Sequence, residues 1–267
     1  MKTAGFIGCG HMGGALAAAA ARAAGEEEIL TADRHPEKLE TLKNACGTIP
    51  ASLSETASDC RYLFLGVKPQ GMKALSMEIR ETLSSRKEPF VLVSMAAGIT
   101  LETLRSLFGV EKIIRILPNL PVSAGEGVIL YAASAAVTAG EEEGFLALMR
   151  SAGLSVKLEE SKIDAGCAVT GCGPAFVCLW MEGMIDAGVR AGLPYQAAKE
   201  MTVRTFLGTA ALLQKTGDDP AGLRTAVCSP AGSTIEGITA LEKSGARFGA
   251  MEAVTAAYLR NKELGKN

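Results

Sequence analysis

The sequence predicts an α/β fold in which a doubly wound sheet occupies the amino-terminal part and an all-helical domain follows it. Two observations carry this prediction. Short apolar runs typical of buried parallel strands alternate with helical patterns up to residue 161, and no strand-like run occurs beyond that point. We therefore divide the 267 residues into a sheet domain at 1–161 and a helical domain at 162–267.

A glycine-rich motif, G-C-G-H-M-G at residues 8–13, directly follows the apolar run 4–7. Such a turn between a first strand and an alanine-rich helix is the fingerprint of a Rossmann dinucleotide-binding unit. Gly8 permits the tight turn, Gly10 lets the main chain approach a pyrophosphate, and Gly13 lets helix and strand pack closely. The N–H groups at the start of the helix then face the phosphates.

The other elements of the sheet domain follow in order. A helix is predicted to begin near Pro36, which suits a first helical turn, and another is predicted over residues 141–151. Further strands are predicted at residues 28–32, 62–67, 90–95, 112–117, 128–132 and 154–158.

The helical domain contains five predicted helices, at residues 174–191, 195–216, 221–228, 234–244 and 246–264. The first is apolar on several faces, as Leu179, Trp180 and Met184 illustrate. A helix that is apolar all round needs partners on several sides, and about a hundred residues supply few of them. We therefore expect this domain to form a homodimer interface. A compact monomeric bundle is the alternative.

Composition argues against several classes of function. Apolar residues make up 48% of the chain, so a large core can form. The net charge is −2, so no strong positive field attracts the chain to nucleic acid or to an anionic membrane. No apolar run reaches the ~18 residues of a membrane span, and the alanines after the glycine motif lack the flanks of a signal peptide.

Seven cysteines without a C-x-x-C pair, with only two histidines, argue against a metal site. We expect a cytoplasmic protein with reduced thiols.

The end of the second predicted strand is expected to select the dinucleotide. Asp33 lies about twenty residues past the glycine motif, where a carboxylate bonds the ribose 2′-hydroxyl and favours NAD. Arg34 could instead hold a 2′-phosphate, which favours NADP, and Lys38, together with His35 when it is protonated, adds positive charge. Solvated loop charges are the alternative for Asp33 and Arg34. The histidine beside Arg34 favours NADP(H), with NAD(H) as the second cofactor.

Three other strand ends carry candidate cofactor contacts, since ligands of open α/β sheets bind at the carboxyl ends of the strands. The first is V-K-P at residues 67–69. The second is the pair Ala96 and Ala97, whose small side chains would admit a flat ring. The third is Asn119, which lies between two prolines. Ordinary βα turns are the alternative for each. The complete set of predicted cofactor contacts is Gly8, Gly10, His11, Met12, Gly13, Asp33, Arg34, Val67, Lys68, Pro69, Ala96, Ala97 and Asn119.

Two loops of the helical domain precede helices. In G-C-G-P at residues 171–174, the proline suits a first helical position. S-P-A-G-S-T at residues 229–234 leads into a helix whose N–H groups could hold a substrate carboxylate, while Thr234 offers a hydroxyl to a nitrogen. The alternative is structural, because Ser233 and Glu236 fit a capping box. No catalytic histidine is expected here, since both histidines belong to the cofactor edge.

Taken together, these motifs resemble pyrroline-5-carboxylate reductase over essentially the whole chain. The most specific are the G-C-G-P-A and S-P-A-G-S-T-I loops in this order, supported by V-K-P-Q, A-A-G-I-T, R-I-L-P-N-L-P and the final R-N-K-E-L-G. The resemblance implies reduction of 1-pyrroline-5-carboxylate to L-proline by NAD(P)H, the last step of proline biosynthesis. It also implies a Rossmann domain, a helical dimerisation domain and often a ring of dimers, a homodecamer.

Site residues follow from the resemblance position by position. Thr234 matches the threonine that bonds the imine nitrogen, which makes it the predicted catalytic residue. Ser229, Gly232 and Ser233 match the loop that holds the substrate carboxylate, and with Thr234 they form the predicted substrate site. The chemistry needs no strong acid or base, because a protonated imine is already electrophilic.

The chain departs from the family pattern at Ala231, Cys172 and Leu120, where glycine, serine and threonine are usual, and it lacks an asparagine upstream of V-K-P. Two other functions are left open. A 3-hydroxyacid dehydrogenase has a similar architecture but uses a lysine on the helix after a glycine-rich turn, and residues 171–191 contain no lysine. A non-catalytic NAD(P)-binding regulatory protein is the second alternative.

Overall fold

The computed structural model describes residues 1–264 of the protein. Within them, eight strands form one sheet in the order β3-β2-β1-β4-β5-β6-β7-β8. The strands are β1 (Lys2–Ile7), β2 (Ile29–Ala32), β3 (Ile49–Pro50), β4 (Cys60–Leu65), β5 (Val91–Ser94), β6 (Ile113–Pro118), β7 (Gly127–Ala133) and β8 (Gly153–Lys157). All neighbouring pairs are parallel except β6 and β7, which are antiparallel.

Helices connect most of the strands and form most of the described chain beyond β8. They are α1 (His11–Ala24), α2 (Pro36–Cys46), α3 (Leu53–Ser58), α4 (Met72–Ser84), α5 (Leu101–Phe108), α6 (Ala139–Met149), α7 (Ile163–Thr170), α8 (Gly173–Arg190), α9 (Tyr195–Thr216), α10 (Pro220–Ala226), α11 (Ser233–Lys243) and α12 (Ala246–Leu264). Short 3-10 turns lie between some of them.

The order of the strands makes the sheet doubly wound. The chain runs outward from β1 through β2 to β3, then crosses back to β4 and continues in the opposite direction. β1 and β4 are therefore neighbours at the point where the strand order reverses, and such a switch point is where α/β sheets bind ligands. The predicted α/β fold, a doubly wound sheet followed by helices, is confirmed.

Both faces of the sheet are buried, which explains why its strands are apolar runs without alternation. Phe6 and Phe64 stack on one face with their ring centroids 4.3 Å apart, in the core that α1 and α6 cover. Ile7 and Leu65, one position further along the same strands, belong to the core on the other face, together with residues of α4 and α5. Successive side chains of a strand point to opposite faces, so each strand serves both cores.

Most predicted elements exist with ends shifted by one or two residues. The strand predicted at 62–67 spans Cys60–Leu65, and the helix predicted at 141–151 spans Ala139–Met149. Helices α3, α4, α5 and α7, with the two-residue strand β3, are additional to the predicted elements. Helices α3, α4 and α5 each link two strands of the sheet and so complete a crossover, whereas α7 follows the last strand.

The chain divides into two compact units. One comprises Met1–Gly171 and the residues from Tyr258 onward, and the other is Cys172–Ala257. The predicted domain boundary at 161/162 stays a prediction. Within the first unit, α7 packs against β7, and the end of α12 is fixed to α7 because Asn261 Nδ2 donates a 3.2 Å hydrogen bond to the carbonyl oxygen of Asp164.

The helical unit leaves much apolar surface uncovered. Within Cys172–Ala257, only Ile185, Ala198 and Thr202 are buried. Leu179 of α8 is 69% exposed, and Trp180 on the same helix is 39% exposed. These helices therefore lack a closed core within one chain, as their apolar patterns predict.

One helical stretch of the described chain, Glu160–Arg190, has the length and apolar composition of a membrane span, with a mean hydropathy of 1.4 in its most apolar window. A single stretch of this kind is weak evidence for a membrane protein. In the structure it is divided, since α7 ends at Thr170 and α8 begins at Gly173. The expectation that the protein works without a membrane stays a prediction.

Candidate functional site

The glycine motif forms the turn between β1 and α1. Gly8 has φ +92°, a left-handed conformation that strongly favours glycine. A Cβ atom added to Gly13, or to Gly66 after β4, would collide with the carbonyl oxygen of Gly8. Three glycine backbones therefore meet at the switch point. Gly66 was not among the predicted site residues, and its only signal is a glycine that ends a buried apolar run.

Gly10 is different, because a Cβ atom added there would meet nothing within 4 Å. It precedes α1, whose first turn contains no acidic residue and has no side-chain cap. The first N–H groups of a helix have no partner inside the helix, so those of His11, Met12 and Gly13 are available to an anion. An open cradle with unsatisfied donors fits the pyrophosphate of a dinucleotide.

Asp33 lies directly after β2, and its carboxylate is turned back toward the glycine turn. Oδ2 accepts a 2.7 Å hydrogen bond from the main-chain amide of Cys9, and Oδ1 accepts one of 3.0 Å from the amide of His35. Lys38 Nζ lies 3.6 Å from Oδ1. Burial alone would raise the pKa of Asp33, but these two amides and the Lys38 ammonium outweigh it and hold the pKa below its usual value.

The thiol of Cys9 lies beneath the glycine turn. Burial, followed by the nearby charge of Asp33, raises its pKa to about 12. It is therefore a neutral group that packs, not a nucleophile. By contrast, the Arg34 side chain is exposed and forms no hydrogen bond or ion pair with residues 1–264.

The other predicted cofactor residues lie where strands end. The register pairs Ile7 with Leu65 and Leu65 with Ser94, so β1, β4 and β5 end side by side. The residues that follow β4 and β5 there are a half-buried Val67, an exposed Lys68 and Pro69, a buried Ala96 and an exposed Ala97. The structure thus brings the predicted loops to the edge that carries the glycine turn.

Asn119 also follows a strand of this edge, β6, but its side chain points into the protein and is 8% exposed. Its Oδ1 accepts a 2.7 Å hydrogen bond from the amide of Val128, and its Nδ2 donates to the carbonyl oxygen of Thr170 at 3.0 Å. Both ends of the amide are thus engaged within the protein.

In the helical unit, the S-P-A-G-S-T loop ends in a helix start without a side-chain cap. Helix α11 begins at Ser233, and Gly232 before it supplies no side chain. The predicted capping box between Ser233 and Glu236 is not formed, because Glu236 is the fourth residue of the helix and not the third. The first N–H groups of α11 are available, as the carboxylate-binding interpretation requires.

The shape of this loop depends on two small residues. Ala231 has φ +55°, in the left-handed region where the family usually has glycine. A Cβ atom at Gly232 would collide with Ser229 Oγ. In the described chain, the hydroxyls of Ser229, Ser233 and Thr234 form no hydrogen bond with protein groups, so all three can serve a ligand.

The G-C-G-P loop offers a second helix start of this type. Helix α8 begins at Gly173 with Pro174 in its first turn, and Cys172 before it supplies no side-chain cap. Neither histidine belongs to these loops in the sequence: His11 opens α1, and His35 Nδ1 lies 3.6 Å from Glu37. Residues 1–264 contain no group of three His, Cys, Asp or Glu side chains that could hold a metal ion.

Comparison with known proteins covers both units of the chain. A family model described as pyrroline-5-carboxylate reductase dimerisation matches residues 160–264, and one described as NADP oxidoreductase, coenzyme F420-dependent, matches residues 3–98. A pyrroline-5-carboxylate reductase of Synechocystis sp. is 36% identical over 265 residues, which are 98% of each chain.

Solved structures agree with the sequences. A pyrroline-5-carboxylate reductase from Coxiella burnetii superposes with a TM-score of 0.91 at 30% identity, over 98% of each chain. A pyrroline carboxylate reductase from Plasmodium falciparum, with NADP bound, gives a TM-score of 0.84 at 30% identity, over 99% of this chain and 98% of that one. The resemblance seen in the motifs is confirmed, and this chain belongs to the pyrroline-5-carboxylate reductase family.

Proposed function

We propose that the protein reduces 1-pyrroline-5-carboxylate to L-proline, the last step of proline biosynthesis, with NADPH as preferred hydride donor and NADH as a second donor. The observation that carries the proposal is the similarity to a reductase of this name over 98% of both chains. It spans the glycine turn and the S-P-A-G-S-T loop alike, so both halves of the chemistry have a counterpart in this sequence.

The cofactor is assigned to the sheet edge. Gly8, Gly10 and Gly13 form the turn, and the uncapped start of α1 at His11 and Met12 supplies N–H groups to the pyrophosphate. We assign Arg34 to the 2′-phosphate of NADP, which a guanidinium binds through two parallel hydrogen bonds. The loops at Val67, Lys68, Pro69, Ala96 and Ala97 form the remainder of this edge.

The substrate is assigned to the start of α11. Ser229, Gly232 and Ser233 hold its carboxylate, because uncapped N–H groups and the positive end of a helix favour an anion. The Thr234 hydroxyl, which forms no bond with protein groups in the described chain, is then available to the imine nitrogen.

This division of labour suits the reaction. When bound, NADPH supplies the hydride, and the protonated imine accepts it without further activation. What the chain adds is orientation of the substrate, and Thr234 holds the nitrogen proton at its hydroxyl oxygen.

The apolar helices are assigned to self-association. With three buried residues in Cys172–Ala257, the helical unit needs a second chain to cover Leu179, Trp180 and their neighbours. We propose a homodimer through this unit, assembled further into a ring of dimers, a decamer, in the cytoplasm. Neither nucleic acid nor a membrane takes part. Sedimentation that gives only a monomer at micromolar concentration would contradict the dimer.

The decisive experiment mixes the purified full-length protein with NADPH and pyrroline-5-carboxylate, following NADPH absorbance and formation of L-proline. We expect both changes, with slower turnover when NADH replaces NADPH. Parallel reactions with 3-hydroxyacids and NAD+ or NADP+ test the dehydrogenase alternative. Turnover of 3-hydroxyacids alone would overturn the proposal, and cofactor binding without any turnover would favour a regulatory protein.

A further inference from the structure

The carboxylate of Asp33 is built into the glycine turn. Its two oxygens accept hydrogen bonds from the amide of Cys9, 24 positions earlier in the chain, and from the amide of His35. Its side chain is 9% exposed. Cys9 is the residue between Gly8 and Gly10, so the carboxylate fixes the peptide that must lie beneath a pyrophosphate.

A carboxylate that recognises a ribose 2′-hydroxyl has to present an oxygen toward the ligand. Each oxygen of Asp33 already accepts an amide hydrogen bond within the protein, and Lys38 Nζ lies 3.6 Å from Oδ1, so most of its charge is balanced before any ligand binds. Hydrogen bonds from amides to a carboxylate are stronger than those between neutral groups, so this arrangement holds the turn in place.

Arg34, the next residue, has the opposite environment. Its side chain is exposed and has no ion pair or hydrogen bond with the described part of the chain. The neighbouring side chains face other residues: Lys38 Nζ lies 3.6 Å from Asp33 Oδ1, and His35 Nδ1 lies 3.6 Å from Glu37 Oε1. Arg34 is therefore the uncommitted cation at the end of β2, where the 2′ position of a dinucleotide lies.

We propose that Asp33 is a positioning residue for the glycine turn, and that Arg34 alone distinguishes NADP(H) from NAD(H). The inference rests on the proposed binding of NAD(P)H at this turn. It differs from the usual expectation for an acidic residue at this place, because Asp33 then supports both cofactors equally and does not select NAD. Two adjacent residues with opposite charges thereby have separate tasks.

Calorimetric titration of the full-length protein with NADP+ and with NAD+ tests this, using Asp33→Ala, Asp33→Asn and Arg34→Ala. We expect Asp33→Ala to weaken the binding of both cofactors about tenfold, the cost of one charged hydrogen bond. Asp33→Asn keeps an acceptor for the Cys9 amide and should recover part of the loss. Arg34→Ala should weaken NADP+ binding at least about tenfold and leave NAD+ binding within about twofold.

The direction in which the NADP+ affinity of Asp33→Ala changes decides whether Asp33 positions the glycine turn or selects the 2′-hydroxyl of NAD. If Asp33 instead selected the 2′-hydroxyl, removing its charge would weaken NAD+ and strengthen NADP+, which would overturn the proposal. An equal effect of Arg34→Ala on both cofactors would overturn the second part. The binding stoichiometry measures the folded fraction, so misfolding of Asp33→Ala is distinguished from a change in its affinity. If Asp33→Ala does not fold, the affinities of Asp33→Asn for the two cofactors decide between the two roles. Because binding is measured without the imine, a failure of the proposed reaction remains distinguishable.

Discussion

Asn119 and Thr170 are joined by a hydrogen bond across 51 positions of the sequence, from the side-chain Nδ2 of the first to the carbonyl oxygen of the second at 3.0 Å. The other end of the same amide accepts a bond from the amide of Val128. One buried side chain thus links the end of β6, the start of β7 and the end of α7. The G-C-G-P loop begins at the next residue after Thr170.

Replacing this asparagine should therefore destabilise the fold. Asn119→Ala leaves the Val128 amide and the Thr170 carbonyl without partners, at a cost of about 1–3 kcal/mol in the free energy of unfolding. Urea denaturation at fixed protein concentration measures the change. Asn44→Ala is the matched control, because Asn44 is exposed on α2. Equal stability of the two variants would show that the Asn119 bonds contribute nothing.

Gly10 and Gly13 should respond differently to alanine. Gly10 has φ −68° and open space at its Cβ position, so Gly10→Ala should fold with a melting temperature close to that of the natural protein. The added methyl group occupies space assigned to the pyrophosphate, and NADP+ affinity should fall at least about tenfold. Gly13→Ala collides with the Gly8 carbonyl and should lower stability itself.

Titration with NADP+ and thermal unfolding, made on the same samples, separate these two effects. Gly140→Ala is the control, since Gly140 lies in α6 and also has open space at its Cβ position. Undiminished NADP+ affinity in Gly10→Ala would mean that the cofactor does not approach this turn.

Ala231 should be a strained residue. It is the only non-glycine residue with positive φ among those described, at +55°. Left-handed backbone costs an L-residue roughly 1–2 kcal/mol, and glycine avoids most of this. Ala231→Gly should raise the free energy of unfolding by about 1 kcal/mol, measured by chemical denaturation. Ala240→Gly, on the exposed side of α11, should lower it by about the same amount; a loss of stability in both variants would contradict strain at Ala231.

Thr234 should affect turnover and not cofactor binding. Thr234→Ala removes the hydroxyl assigned to the imine nitrogen, and kcat for pyrroline-5-carboxylate should fall about a hundredfold. The Kd for NADPH should stay unchanged, because that site lies on other residues. Thr239→Ala, five residues later on α11, removes a hydroxyl that bonds the Ile235 carbonyl and serves as the control. Steady-state rates that Thr234→Ala leaves unaltered would remove Thr234 from the mechanism.

Glu141 should make stability depend on pH. Burial opposes its ionisation, but Lys112 Nζ at 2.6 Å and the amide and hydroxyl of Thr138 outweigh burial and lower its pKa. A carboxyl whose pKa is lower in the folded state contributes stability above its unfolded pKa of about 4.3, and loses it as the pH falls through the folded value. Glu141→Gln should therefore be less stable at pH 7 by about 1–3 kcal/mol.

The difference in the free energy of unfolding between Glu141→Gln and the natural protein should shrink as the pH falls below about 4. Chemical denaturation at several pH values checks this, with the exposed Glu143→Gln as control. A constant difference over the whole range would exclude the charge of Glu141 as the cause.

Sequence patterns located the helices that are long and bounded by breaking residues. Tyr195–Thr216 and Ala246–Leu264 are predicted with the bounds that the structure has, because Gly-Leu-Pro and Gly-Asp-Asp-Pro segments limit the first of them. Helices α3, α4, α5 and α7 are missing from the prediction, although Ser52 and Glu55 form a capping box before α3. The buried residues of α4 follow helical spacing, at Met72, Leu75, Ile79 and Leu83, so this pattern was present in the sequence and was overlooked. Helices α3 and α7 have six and eight residues, which is too short for a periodic pattern to stand out.

In the candidate site, too, some features were predicted from the sequence and others were not. The glycine spacing and the two loops of the helical domain identified the family, since each motif is a continuous segment whose residue types are fixed by local backbone geometry. The task of a charged or polar side chain within such a segment depends on groups far away in the chain. Asp33 resembles a ribose ligand in sequence, yet its oxygens bond the Cys9 and His35 amides. Ser233 and Glu236 resemble a capping box, yet α11 begins one residue too early to form it.

The sequence by itself thus determined the doubly wound sheet, the helical second half, the dinucleotide turn and the family, because periodicity and short motifs depend on neighbouring residues. Only the tertiary structure decided that Gly66 meets Gly8 and Gly13, that Asn119 bonds Thr170, and that the Asp33 carboxylate points into the protein. These contacts join residues up to 58 positions apart, from Gly8 to Gly66. Their partners are set by strand order and register, which no local pattern specifies.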